Sequence, residues 1–276
     1  LPRSWLKCRS SRPPSIRALE DIKMAHTPDP HFGSLLKTAD ERHGCLHEFA
    51  NVHQEIWELV ESHILAARAI CQACLNYSGA GEHTHWYNIL LFSCYEYLED
   101  SVYLLIAHRQ DAAYALLRNA AETARTAARI SESDDNFRRW LNHKTGKDDV
   151  LPKPTFKFND DDIGEKIVHQ IYTACSKYGT HNHFTSMFYK SEETSTPDGK
   201  FRIFGSTDLD TLKGLQLWFP AVLPILLMAS KGFQSHFKNN RDMKYKQAFD
   251  LLIELSSAVT AIETYVNQLD ARQTSS

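Results

Sequence analysis

The chain has 276 residues, of which 42% are hydrophobic and 24% charged, a composition typical of soluble globular proteins and too apolar for general disorder. Its 31 basic and 34 acidic residues leave a formal charge of −3, which excludes an overall basic field that would recruit nucleic acid or anionic membranes. The small number of glycines and prolines argues against a β-sandwich, which needs many turns. The six cysteines show no regular spacing, which favours buried reduced thiols in a reducing cytoplasm.

The N-terminal segment, residues 1–30, is predicted to be a disordered tail ahead of a single α-helical domain formed by residues 31–276. Its first part is rich in arginine and serine and lacks the apolar stretch of a secretory signal. The first methionine is Met24, and we expect it to be the natural start of the protein.

Helical periodicity organises the first half of the domain. Apolar residues recur at three- and four-residue intervals, which is typical of amphipathic helices. Thr84 and Asp111 are predicted as N-caps of the second and third helices, because short polar side chains accept hydrogen bonds from the free N–H groups there. The predicted helices span residues 46–77, 85–109, 112–131 and 136–143.

The second half of the domain combines helices with one β-hairpin. Asp162 and Glu165 have the spacing of a capping box, which predicts a helix from there to Gly179. Two short apolar stretches around a polar turn predict a hairpin within residues 186–204. Two long helices are predicted at residues 208–236 and 241–271. The fold class is therefore mainly α, a helical bundle of long antiparallel helices with one small β-hairpin.

Residues 214–230 are almost entirely apolar, so we ask whether this segment could form a transmembrane helix. Seventeen residues reach only the lower limit for crossing a bilayer, and Pro220 and Pro224 each remove a backbone hydrogen bond. We therefore predict a buried, kinked central helix and no contact with a membrane.

Four charged residues of the third helix form one stripe, because the intervals between them are four, three and four residues. They are Arg118, Glu122, Arg125 and Arg129. The rest of that helix is small or apolar, so the stripe faces a cleft, matched partners or solvent. An ordinary solvated ion pair is the simpler alternative. If the second and third helices form a hairpin, the expected partners are Glu96, Glu99 and Asp100.

A second polar cluster lies just past the end of a predicted helix. It contains Tyr178 and two histidines, which can act as acid, base or ligand near neutral pH. We expect Arg118, Glu122 and His181 to approach one another in a partly enclosed cleft. In an enzymatic interpretation, Arg118 or Arg125 would stabilise phosphate charge and His181 would act as acid or base. The candidate catalytic residues are Arg118, Glu122 and His181, and the candidate binding residues are Arg125, Tyr178 and His183.

Metal binding and redox chemistry are weaker interpretations of the sequence. His83 and His85 repeat the His-x-His spacing seen near position 181, but no His-Glu-x-x-His motif accompanies either pair. Cys71 and Cys74 share one helical face, which favours a core stripe over a redox or zinc pair. We predict neither a metal nor a cofactor.

The order of motifs resembles the HEPN-like (higher eukaryotes and prokaryotes nucleotide-binding) domains and uncharacterised bacterial helical proteins related to them. The resemblance spans roughly residues 46–205 and is carried by Leu-Leu-Arg118-x-x-x-Glu122 and by Tyr-x-x-x-x-x-Tyr178-x-x-His181. It implies a regulatory role, in a toxin–antitoxin or phage-defence setting.

Some HEPN domains are metal-independent ribonucleases that use an Arg-x(4–6)-His motif, so the resemblance also implies an alternative, enzymatic function. That spacing occurs here from Arg42 to His47 and from Arg138 to His143, and in neither case on the Arg118 helix. The main hypothesis is thus a cytoplasmic regulatory bundle whose partner is RNA, a protein or a second copy of the chain. The alternatives are a ribonuclease or other phosphate-handling enzyme, and a membrane-associated helical protein.

Deletion of residues 1–23 should leave the melting temperature nearly unchanged, because this segment has almost no apolar periodicity with which to pack. Thermal unfolding followed by circular dichroism, with the full chain in the same buffer as control, measures the effect. A drop of several degrees would contradict the prediction.

Overall fold

The computed structural model describes residues 44–76, 82–142, 156–179, 191–196, 199–204, 208–233, 243–257, 262–264 and 266–267. Internal contacts divide the chain into two units, residues 1–44 and 45–276. Apart from Gly44, every described residue belongs to the second unit. The predicted N-terminal tail lies outside the described residues, as do His181 and His183.

Helices dominate the described part of the chain, so the predicted mainly α class is confirmed. The helices are α1 (44–52), α2 (Gln54–Asn76), α3 (Glu82–Ile106), α4 (Gln110–Glu132), α5 (Asp134–Leu141), α6 (Ile163–Gly179), α7 (Asp208–Ala229) and α8 (Met243–Ser257). Shorter helical stretches cover residues 231–233, 262–264 and 266–267. Strands β1 (Ser191–Thr196) and β2 (Gly199–Phe204) pair antiparallel, with Ser191 opposite Phe204 and Thr196 opposite Gly199.

The first predicted helix is interrupted by a bend at His53, which separates α1 from α2. Backbone hydrogen bonding continues through the bend, since the His53 N–H donates to the Phe49 carbonyl at 2.8 Å and the Trp57 N–H to that of His53 at 2.9 Å. The interval predicted as one helix is thus two helices joined without a loop.

Helix α4 is the central element and contacts α3, α5, α6 and α7. Its buried face consists mainly of alanine, whose small side chain lets neighbouring backbones approach closely. The buried alanines are Ala113, Ala120, Ala121, Ala124, Ala127 and Ala128. The predicted enclosure of this helix is confirmed.

A tight helical hairpin joins α3 to α4, and neither predicted N-cap is correct. The Arg109 N–H donates to the Leu104 carbonyl at 2.8 Å and the His108 N–H to that of Leu105 at 3.0 Å, which is a Schellman motif. His108 occupies the left-handed position with φ 57°. Because the chain reverses so quickly, α4 begins at Gln110 and takes Asp111 into its first turn.

The second failed N-cap is Thr84. Helix α3 already begins at Glu82, so Thr84 lies inside its first turn. The preceding glycine-containing stretch gives no periodic signal that fixes this boundary.

Helix α7 accommodates both prolines within continuous helix and buries most of its apolar residues. The Trp218 indole N–H donates to the Leu98 carbonyl at 3.1 Å and to the Ser101 hydroxyl at 3.0 Å, which fixes α7 against α3. By length and composition, Asp210–Ala229 could cross a membrane, but 61% of its most apolar window is buried inside the protein. The prediction that other helices bury this segment is confirmed.

Four of the five described cysteines are buried, and Cys45 is half-buried. Cys71 and Cys74 are both buried, which confirms the core stripe, and burial raises the pKa of Cys71 to about 12. A thiol with so high a pKa holds almost no thiolate at neutral pH and is chemically inert.

His63 of α2 is buried against α7, with 1% of its surface exposed. Its ring centroid is 4.8 Å from that of Phe219 and 5.9 Å from that of Trp218. Nδ1 lies 2.8 Å from the Leu59 carbonyl oxygen, which can only accept, so the neutral ring carries its proton on Nδ1. Burial lowers the pKa of His63, and the Leu59 carbonyl opposes that shift.

Acid should therefore destabilise the fold through His63. The unfolded chain takes up this proton first as the pH falls, so the stabilisation is complete above the ordinary pKa of 6.5 and is lost progressively below it. The free energy of unfolding should decrease by up to about 1.4 kcal/mol per pH unit in that range.

Urea unfolding at several pH values measures this dependence. His63→Leu should flatten it, whereas His85→Leu, at an exposed position of α3, should leave it unchanged. Equal pH dependence in wild type and His63→Leu would refute the assignment.

Candidate functional site

The arginine stripe of α4 faces α6 and the segment just before it, residues 156–162, which we call the strap. Arg118 lies opposite the middle of α6, where its Nη2 donates to the Tyr172 hydroxyl at 3.0 Å. Its Cζ is 5.0 Å from the centroid of the Tyr172 ring, within the range of a cation–π interaction. Arg118 thus links α4 to α6.

Arg125 is buried beneath the strap, with 3% of its surface exposed. Its Cζ lies 4.4 Å from the centroid of Phe158, and its Nη2 is 3.5 Å from Glu122 Oε1. Burial lowers the pKa of Arg125, while the Glu122 carboxylate opposes that shift. Because an arginine pKa lies so far above neutrality, the buried guanidinium stays charged.

Arg129 forms ion pairs on both sides. Its Nη1 lies 3.1 Å from Glu132 Oε2, and its Nη2 lies 2.8 Å from Glu165 Oε1 in the first turn of α6. Glu165 is buried and also accepts the Asn159 N–H at 2.7 Å. This carboxylate therefore attaches the strap, the start of α6 and α4 to one another.

The predicted capping box is half formed. Asp162 Oδ1 accepts the Glu165 N–H at 3.1 Å, and this backbone hydrogen bond lowers the pKa of Asp162. The Glu165 side chain makes no reciprocal bond to the Asp162 N–H, which donates to the Asn159 carbonyl instead. The Glu165 carboxylate instead forms an ion pair with Arg129 and accepts a hydrogen bond from the Asn159 N–H of the strap.

Stacked rings hold the strap in place. The rings of Phe158 and His169 are 4.7 Å apart and nearly parallel, at 13°. His169 Nδ1 lies 2.7 Å from Asp160 Oδ1, so the strap also binds the imidazole through a carboxylate. The Phe158 ring thus packs between a guanidinium and an imidazole.

Two guanidinium N–H groups in this cluster, Arg118 Nε and Arg125 Nε, are buried without an acceptor. Arg125 Nη2 is also buried and makes no hydrogen bond, although it lies at ion-pair distance, 3.5 Å, from Glu122 Oε1. Within the described part of the chain, Arg118 also has no carboxylate at ion-pair distance. Buried donors are nearly always paired in proteins, so the two unpaired Nε groups in one cluster mark an unusual site.

The acidic residues of α3 that were expected as partners form no described ion pair with the arginine stripe. Glu96 and Asp100 are exposed on α3, and the described ion pairs of the stripe come from α4 itself and from α6. The reason is packing: α3 lies against α4 in a contact that alanines make close, whereas the arginines point toward α6.

The candidate residues from the sequence are only partly tested by this geometry. Arg118, Glu122 and Arg125 lie in one cluster, although Glu122 pairs with Arg125 while Arg118 binds Tyr172. The backbone of Tyr178 lies in the last turn of α6. Because His181 is outside the described residues, its approach to Arg118 remains a prediction.

Two aromatic residues of the cluster, Phe158 and Tyr172, were missed as site residues. Tyr172 fits the apolar period of α6 and so looks like an ordinary core position. Phe158 lies in a loop, where no periodicity predicts what it contacts.

No described group of three histidine, cysteine or acidic side chains is arranged to hold a metal ion. A cavity of about 620 Å³ lies beside the strap and is lined by strap and α6 residues, among them Asp160, His169 and Lys177, but by none from α4. The stripe arginines therefore do not line this cavity.

Comparison with known proteins finds no matching family model, no matching curated protein and no matching solved structure.

Arg129→Met should lower the free energy of unfolding by about 2–3 kcal/mol, because it leaves the Glu165 carboxylate buried with the Asn159 N–H as its remaining partner. Chemical denaturation measures the change. Arg138→Met, at an exposed position on α5, is the matched control and should have almost no effect.

Adding Glu165→Gln to Arg129→Met should recover part of the loss, since the buried charge is then removed. Equal destabilisation by Arg129→Met and Arg138→Met would contradict a structural role for this ion pair.

Proposed function

We propose that this protein is a non-enzymatic, regulatory helical bundle of the HEPN-like kind that acts in the cytoplasm in a defence setting. The proposed fold combines the bundle with the hairpin of β1 and β2. The order of motifs supports the relationship, and the buried apolar side of α7 supports a bundle that does not span a membrane.

The observation that carries the proposal is how the arginines of α4 are used. Arg129 is neutralised by two carboxylates, and Arg125 lies beneath Phe158, so both serve the packing of α4 against α6 and the strap. Arg118 contacts a tyrosine hydroxyl, and the described residues place no imidazole or carboxylate at hydrogen-bond distance from it. The described surroundings of Arg118 are suited to binding or structure, since proton transfer needs an acid or base at the reacting group.

The second candidate is a metal-independent ribonuclease or other phosphate-handling enzyme. It is favoured by the absence of a carboxylate partner for Arg118 among the described residues, because a guanidinium free of counter-ions can stabilise phosphate charge. In this alternative His181 supplies the acid–base group and Glu122 orients the site.

Purified protein should leave single-stranded RNA intact, because the regulatory proposal gives Arg118 no catalytic partner. A labelled RNA incubated with the protein, with and without chelator, and separated by gel electrophoresis provides the measurement. A known metal-independent ribonuclease serves as the positive control.

Cleavage that persists in chelator and disappears in both Arg118→Lys and His181→Ala would overturn the regulatory proposal. Circular dichroism must show that both variants keep wild-type helicity. That result would assign the enzymatic alternative, with Arg118 and His181 as catalytic residues.

A further inference from the structure

We infer that Arg118, Arg125 and the Tyr172 hydroxyl form a binding site for a phosphate group, with Phe158 as the side chain that must move aside to admit it. The inference rests on the proposed regulatory function. It specifies the chemical class of the ligand that would regulate such a bundle. The contacts between α4, α6 and the strap carry it.

The first argument is the set of unused donors. Arg118 Nε and Arg125 Nε are buried and have no hydrogen-bond acceptor, and Arg125 Nη2 lies 3.5 Å from Glu122 Oε1 without forming a hydrogen bond. A guanidinium presents its N–H groups in a planar fork that fits the oxygens of a phosphate. Tyr172 adds a hydroxyl that lies 3.0 Å from Arg118 and can turn its proton toward an anion.

The second argument is charge. The two guanidiniums have one carboxylate between them, that of Glu122, and it lies 3.5 Å from Arg125. Among the described residues Arg118 has no counter-ion at all. Because the Glu122 side chain is 32% exposed, it can turn toward solvent when an anion approaches Arg125. A doubly charged, tetrahedral group suits donors that arrive from two side chains better than a planar carboxylate does.

The third argument is proximity. Arg118 and Arg125 are separated by two turns of α4, about 10 Å along the helix axis. Their side chains border the same pair of rings, since Tyr172 lies beside Arg118 and is 5.5 Å from Phe158, which covers Arg125. Both guanidiniums therefore lie around one aromatic pair.

Phe158 is suited to act as a cover because it is a half-buried side chain of the strap. Its ring contacts Arg125 and Tyr172 and stacks on His169, whose imidazole Asp160 also contacts at the surface of α6. Asn159 remains attached to the buried Glu165, so the strap can release Phe158 without losing its connection to α4.

Isothermal titration of the full-length protein with inorganic phosphate tests the site. Wild type should bind, Arg118→Gln should weaken binding by about tenfold or more, and Tyr172→Phe by a smaller factor of about threefold. Phe158→Ala should tighten binding severalfold, because the cover no longer has to be displaced.

Arg139→Gln is the matched control, because Arg139 also lies over an aromatic ring, that of Phe156 at 5.8 Å, but is exposed. Its phosphate affinity should equal that of wild type. If Arg118→Gln does not fold, Arg118→Lys answers the same question, since it keeps the charge and loses the fork, and should weaken binding severalfold.

Comparing inorganic phosphate with adenosine 5′-monophosphate and adenosine identifies the source of the group. Tighter binding of the monophosphate than of phosphate indicates a nucleotide, equal binding indicates free phosphate, and both support the site. Binding of adenosine with the same affinity as its monophosphate would overturn it.

Two further results would also overturn the inference. One is the absence of binding by both wild type and Phe158→Ala up to about 10 mM phosphate, where even a weak site is filled. The other is equal weakening by Arg118→Gln and Arg139→Gln, which indicates general charge attraction. RNA cleavage would refute the regulatory function and leave this titration unaffected, so the two failures are distinguishable.

Discussion

Burying charge on an enclosed helix is the constraint on which this structure depends. Helix α4 packs against four other helices, yet it carries three arginines on one face. A guanidinium stays charged in such surroundings, so each one requires a carboxylate or an aromatic ring nearby. The strap and α6 supply these groups through Glu165, Phe158 and Tyr172, and their positions follow from the needs of the arginines.

Much of the helical architecture could be predicted because it depends on local patterns. The 3.6-residue period locates α4 and α6 within one or two residues, and the apolar composition of α7 correctly predicts a helix that its neighbours bury. Positions set by tertiary geometry were less predictable. The Schellman motif at His108 begins α4 earlier than the polar cap signal at Asp111 indicates.

The candidate site shows the same division between local pattern and tertiary contact. The stripe of charges on α4 follows from residue spacing, and its enclosure follows from the surrounding alanines. The partners of these charges do not follow from the sequence. Acidic residues on the preceding helix suggest ion pairs, but that helix packs against α4 through small side chains and none of its described acidic residues reaches the arginines. Phe158 lies in a loop and Tyr172 looks like an ordinary core residue, so neither signals that it contacts an arginine.

The attachment of α7 has a consequence for how the chain matures during synthesis. Its hydrogen bonds reach back more than a hundred residues, from Trp218 to the Leu98 carbonyl and from Thr211 to that of Leu105. The hairpin of α3 and α4 can form as soon as it leaves the ribosome, whereas the surface that receives α7 remains exposed until much later. A nascent chain in this interval presents an apolar groove, so molecular chaperones have their greatest opportunity to bind it before α7 emerges.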